Sequence, residues 1–230
     1  MPFSRLRRTA AAFLVLAALS GCSELDKASA AGINHNDLMT DMATQLADAT
    51  DVTYEATYQL SGGATATIAH EPQPARTAYV YQDGLTLVTA DTVTECTTTA
   101  GPATCTMTTP APTSPSPAAA ILPSATVTAP GLVPTPTVQA LLNRAALDPE
   151  AQIEQRDTTI AGRHATCVKL GGAEGTSDFD TCITNEGILG SFSGVVGQAP
   201  FDMTMTHYSD TIAEVTFTLP AGAKIIDHRQ

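Results

Sequence analysis

The chain has 230 residues, of which 11 are basic and 23 acidic, giving a net charge of −12, and only 15% of its side chains are charged. That balance argues against nucleic acid and anionic lipid headgroups as primary partners, because both are recognised by positive charge. The length suffices for one domain with a core of its own.

The first predicted element is a secretion signal. Arg5, Arg7 and Arg8 precede an apolar run over 10–19, which ends in Leu19-Ser20-Gly21-Cys22. Positive charge, an apolar run, small residues and then cysteine is the order of a lipobox. The small Ser20 and Gly21 let a signal peptidase reach the backbone. The Cys22 thiol then takes a diacylglycerol and becomes the first mature residue. The alternative is an ordinary secretory peptide cut elsewhere. A membrane span needs about twenty apolar residues, about twice this run. The expected location is the extracytoplasmic face of the cell membrane, with Cys22 as the anchor. Losing the three arginines leaves eight basic residues against 23 acidic ones, a mature net charge of −15. The chain divides into a signal over 1–21, a lipidated tether over 22–35 and a single domain over 36–230. A Pro-rich insertion over 110–136 interrupts that domain.

After a small, polar stretch read as a flexible tether, residues 36–49 predict a helix. Asn36 or Asp37 caps it, and Leu38, Met39, Met42, Leu46 and Ala49 fall on one face. The period then changes to two. Val52, Tyr54, Ala56, Tyr58 and Leu60 alternate with Thr53, Glu55, Thr57 and Gln59, a strand with one wet face. Ser61-Gly62-Gly63 turns the chain into 64–68. Further strands are expected over 78–81 and 85–89, about a hairpin at Asp83-Gly84, and over 92–96 and 104–108. Residues 110–136 carry eight prolines, which rules out a sheet ladder or a helix there. They read as a surface loop, or as a lid whose apolar points are Ile121, Leu122, Leu132 and Val133.

A second helix is predicted over 138–147, with Val138, Leu141, Leu142 and Ala145 as its stripe and Asp148-Pro149 as its stop. Strands resume over 152–160, 163–170, 179–184 and 188–192. In the last expected hairpin, Phe201, Met203 and Met205 alternate with polar residues. After Ser209-Asp210, so do Ala213, Val215, Phe217 and Leu219, up to Pro220. The expected fold class is α+β: a strongly curved antiparallel sheet, an unclosed half-barrel wrapped around helices on its concave face.

Cys96, Cys105, Cys167 and Cys182 remain after Cys22 is assigned to the lipobox. Four cysteines in an oxidising compartment allow three connectivities. The local one, Cys96–Cys105 and Cys167–Cys182, is expected, because each pair sits in neighbouring strand-like segments. A zinc site lacks a C-x-x-C and a nearby His pair. A redox pair lacks any neighbour that depresses a thiol pKa.

No enzyme is expected. His35, His70, His164, His207 and His228 form no metal motif. His164 and His207 lie in strands, where ordinary hydrogen bonding is the simpler reading than a paired site. Gly190-Ser191-Phe192-Ser193-Gly194 misses the nucleophile-elbow spacing. Asp178 and Asp180 read as a solvated acidic turn rather than a cation site, and 171–175 as a hairpin loop. Neither a cofactor nor a metal is expected.

Three local features carry a resemblance. The opening helix runs into Val52-Thr53-Tyr54-Glu55-Ala56-Thr57-Tyr58. A Gly162-to-Cys167 segment pairs with a Cys182-to-Gly187 segment. The chain closes on Phe217-Thr218-Leu219-Pro220-Ala221-Gly222-Ala223. With the lipobox, these resemble LolA/LprG-like lipoproteins of the actinobacterial type. The resemblance implies an unclosed barrel, plugged by helices, that often holds a lipid, and it implies no catalytic residues. The expected function is to bind or carry a lipid or glycolipid. The candidate contacts are Leu38, Met42, Leu46, Tyr54, Tyr58, Leu141, Leu142, Met203, Met205, Val215 and Phe217. The alternative is an envelope sensor or interaction lipoprotein that docks another membrane protein.

Overall fold

The computed structural model describes residues 23–98, 101–110, 131–172 and 178–229. The signal, Cys22 and most of the Pro-rich insertion lie outside the described residues. Among those described, no helix is long and apolar enough to cross a membrane.

Helix α1 runs over Ser23–Asp48. It therefore starts where a flexible tether was expected, and the predicted start at Asn36 is corrected to Ser23. Ala28, Ala30 and Ala31 are the strongest helix formers, and a lone Gly32 does not stop the propagation. Met39, Met42, Ala43 and Leu46 are buried, one stripe at helical spacing. Helix α2, Thr135–Ala146, buries Val138, Leu142 and Ala145 in the same way and packs against α1.

Eleven strands form before the C-terminal segment: β1 (Tyr54–Leu60), β2 (Thr65–Pro72), β3 (Ala75–Tyr81), β4 (Gly84–Thr89), β5 (Val93–Thr97), β6 (Thr104–Thr108), β7 (Gln152–Ile160), β8 (Arg163–Gly171), β9 (Phe179–Thr184), β10 (Leu189–Val196) and β11 (Ala199–Ser209). A twelfth, β12 (Lys224–Asp227), follows at the end. All twelve belong to one open sheet in the order β12-β6-β5-β4-β3-β2-β1-β11-β10-β9-β8-β7. The fold is thus α+β with a curved, open and mostly antiparallel sheet. Its two meanders, before and after α2, join through antiparallel pairing of β1 with β11.

Alternation sorts the sheet into two faces. Ala56, Tyr58, Ile68, Phe192, Met203 and Met205 meet the buried stripes of both helices in the main core. The opposite face carries a smaller cluster that includes Ala69, Ala78, Leu85 and Phe217. Both disulfides form as expected, and both sit outside the main core. Cys96 lies directly opposite Cys105, and Cys167 opposite Cys182, which is why each pair reaches a cross-strand bond.

The expected final hairpin is not formed. The edges of β11 are already taken by β1 and β10, so residues 213–219 have no ladder to join. Glu214–Phe217 instead makes a 3-10 turn, and the chain crosses the outer face to reach the far edge, where β12 pairs parallel with β6. Arg76 on β3 fastens this crossing. Its Nε donates to Glu71 Oε2 at 2.6 Å, and its Nη1 and Nη2 donate to Glu214 Oε1 and Oε2 at 2.8 and 2.7 Å. The guanidinium lies 3.9 Å from the centre of the Phe217 ring, a stacked and bidentate arrangement that suits arginine.

A candidate ligand cavity under the helices

Between α1, the entry to α2 and strands β1–β3 lies a cavity of about 250 Å3. The end of α1 and the turn after it supply Leu46, Ala47, Ala49 and Thr50. The strands supply Tyr54, Ile68, His70, Thr77 and Tyr79. The last wall is the end of the Pro-rich insertion, with Leu132, Val133 and Pro134, and the first turn of α2 as far as Gln139. Leu132 and Val133, expected as apolar points of a loop or lid, are buried. The Val133 amide donates to Met203 Sδ at 3.4 Å, so this end of the insertion is fixed to the core.

Among the described residues, no Asp, Glu, Lys or Arg lines the cavity. Two of its polar side chains, His70 and Thr77, are turned on each other. His70 Nε2 lies 2.9 Å from the Thr50 carbonyl oxygen, which only accepts, so Nε2 carries the proton. His70 Nδ1 then accepts from the Thr77 hydroxyl at 2.8 Å. The rings of Tyr54 and His70 lie 5.8 Å apart at a tilt of 38°. Burial pushes the Tyr54 hydroxyl pKa well up, with Tyr79 and Tyr208 adding to it, and burial does the same to Tyr79. Both phenols therefore stay neutral across the physiological range.

Of the candidate contacts, Leu46 and Tyr54 reach this cavity. Met42, Tyr58, Leu142, Met203 and Met205 are buried among one another and their neighbours in the main core, and Leu38 and Leu141 pack against it half-buried. The Tyr58 hydroxyl donates to the Leu189 carbonyl at 2.8 Å. Val215 and Phe217 fall on the other face, which corrects their expected place inside. Val215 is 71% exposed, and Phe217 packs under Arg76. The cause is the missing last strand. The cavity residues that sequence reasoning passed over as a site include Ile68, His70, Thr77 and Tyr79. Tyr79 lay in an expected strand, and the signal available was its alternation with Ala78 and Val80.

A second, more open hollow of about 670 Å3 lies on the outer face, beneath the crossing segment. Val215 and Leu219 line it from the segment, and Val80 and Leu85 from the sheet. Elsewhere, Asp180 lies on β9 rather than in the solvated acidic turn expected for it. His164 on β8 and His207 on β11 are separated by β9 and β10. Asp180 accepts from Arg156 at 2.8 Å, and Asp178 accepts from the Gly172 amide at 3.2 Å. Among the described residues, no group of three or more His, Cys, Asp or Glu is placed to hold a metal ion. Residues 173–177 lie outside the described residues.

No protein-family model matches this chain, and no curated protein matches it. Among solved structures it is similar to an uncharacterized conserved protein from Thermus thermophilus, at 10% identity and a TM-score of 0.48. That match covers 82% of this chain and 98% of the other. At that score the likeness carries no argument about either fold family or function.

Proposed function

We propose that this protein is a lipoprotein, anchored through Cys22 on the extracytoplasmic face of the cell membrane, that binds or carries a hydrophobic ligand such as a lipid or glycolipid. In this reading the sheet is a LolA/LprG-like half-barrel with both helices on its concave face, and the ligand occupies the space between them. The observation that carries the reading is the cavity under the helices, with no ionic side chain among the described residues of its wall and Leu46, Ile68, Leu132 and Val133 around it. Burial there contributes about 0.8 kcal/mol per methylene. No catalytic role, cofactor or nucleic-acid partner enters this reading. The test is mass spectrometry of the protein drawn gently from a native-type membrane. A defined hydrophobic molecule near one per protein is the expected result. A protein that is empty, and stays empty after lipid challenge, overturns the reading.

A second reading, docking of another membrane protein as a sensor or interaction partner, is favoured by the outer hollow and the exposed Val215. Apolar surface of this kind on an acidic, well-solvated exterior marks contact sites. Recovery of a stoichiometric membrane protein with the wild type, lost in Val215→Asp, supports it. Equal recovery with both removes the outer hollow from the account.

A further inference from the structure

The size and wall chemistry of the cavity under the helices narrow what it can hold. A cavity of about 150 Å3 accommodates benzene, with six heavy atoms. Scaled from that, the 250 Å3 here takes about ten heavy atoms. Two acyl chains of ordinary length do not fit this volume, and neither does a sugar headgroup together with a chain. The absence of Asp, Glu, Lys and Arg from the described wall leaves a charged headgroup without a counter-ion there, and a buried unpaired charge is strongly disfavoured. The net charge of −12 further repels an anion at the entrance. His70 gives no help to an anion. One ring nitrogen is engaged by the Thr50 carbonyl and the other by the Thr77 hydroxyl, so it presents a ring rather than a free donor.

We infer that the cavity selects a single uncharged chain or small neutral ring of about ten heavy atoms, and rejects both two-chained and anionic amphiphiles. The inference rests on the ligand-binding reading above and limits it.

The test is photolabelling of the full chain in phosphatidylcholine nanodiscs, since a nonionic detergent is itself a single-chained neutral amphiphile. Three diazirine-tagged probes share the same eight-carbon chain: octanamide, octanoate and dioctanoylglycerol. Labelling of peptides covering 46–54, 68–79 and 132–139 is read against probe concentration. The expected result is half-saturation by octanamide at least about tenfold below that of the other two, with the label reduced in Ile68→Phe and in Ala47→Leu. Two variants guard against a misfolded one. Equal labelling by dioctanoylglycerol overturns the size limit, and equal labelling by octanoate overturns the charge limit. Either result leaves the ligand-binding reading standing. No saturable label from any probe overturns both.

Discussion

Replacing Tyr58 with Phe isolates one hydrogen bond in the middle of the core. Tyr58 is 1% exposed, its ring packs between β1 and the helices, and its hydroxyl donates to the Leu189 carbonyl. That carbonyl sits at a bulge. Leu189 pairs with Ile183 and Ser191 with Cys182, so Gly190 has no partner on β9. The substitution keeps the ring and its apolar burial, and removes one donor. Leu189 is itself buried, so water does not reach the carbonyl it leaves behind. The lost bond and the stranded acceptor together cost about 1–3 kcal/mol. For a chain of this length that lowers Tm by about 2–12 °C. Urea unfolding of wild type and Tyr58→Phe under oxidising conditions measures it, with an unchanged slope marking a pure stability effect. A loss below about 0.5 kcal/mol refutes the reasoning, because it means the Leu189 carbonyl finds another donor.

Three further outcomes are expected. The bidentate bond from Arg76 holds the Glu214 carboxyl below its ordinary value of 4.5. The folded state therefore binds fewer protons than the unfolded one, and the clamp's contribution is present above that value and fades as pH falls through the lowered one. Melting followed from roughly pH 5 to pH 2 falls more steeply for wild type than for Glu214→Gln; equal slopes remove the clamp from the account. Ala161 holds a left-handed φ of 49° in the two-residue turn between β7 and β8. Ala161→Asn, a residue that tolerates that region, is expected to stabilise the protein by about 0.5–1 kcal/mol in the same unfolding assay. The Cys167–Cys182 bond spans 15 residues, so replacing both with Ser lowers stability by about 3 kcal/mol, and reduction of the wild type with dithiothreitol moves its midpoint in the same direction.

Much of the fold is legible in the residues because local pattern and tertiary demand agree. The period-two run into Tyr58, the hairpin at Asp83-Gly84 and the helical stripe through Met42 and Leu46 each form where the spacing puts them. The disulfides follow from the hairpins, since neighbouring strands bring cysteines face to face. Failure comes where a pattern has two solutions. Ala213, Val215, Phe217 and Leu219 alternate like a strand, yet β11 has no free edge, and Phe217 is buried by packing on the outer face instead. Strand availability is a property of the whole sheet and leaves no mark on a seven-residue window. The cavity shows the same limit. Met203 and Met205 point inward as read, but a flexible thioether fills core space as readily as it lines a pocket, and here both are packed. Which inward residues border empty volume depends on where α2 begins and how the chain before it lies, and Leu132 and Pro134 settle that only in three dimensions.

The central claim is that a hydrophobic ligand lies under the helices. Intermolecular NOEs, measured on methyl-labelled full chain in deuterated phosphatidylcholine nanodiscs with protonated octanamide as the probe, locate it directly. The account predicts contacts from the chain methylenes to the methyls of Ile68, Leu46 and Leu132. Contacts confined to Val215 and Leu219 would place the ligand in the outer hollow and contradict it.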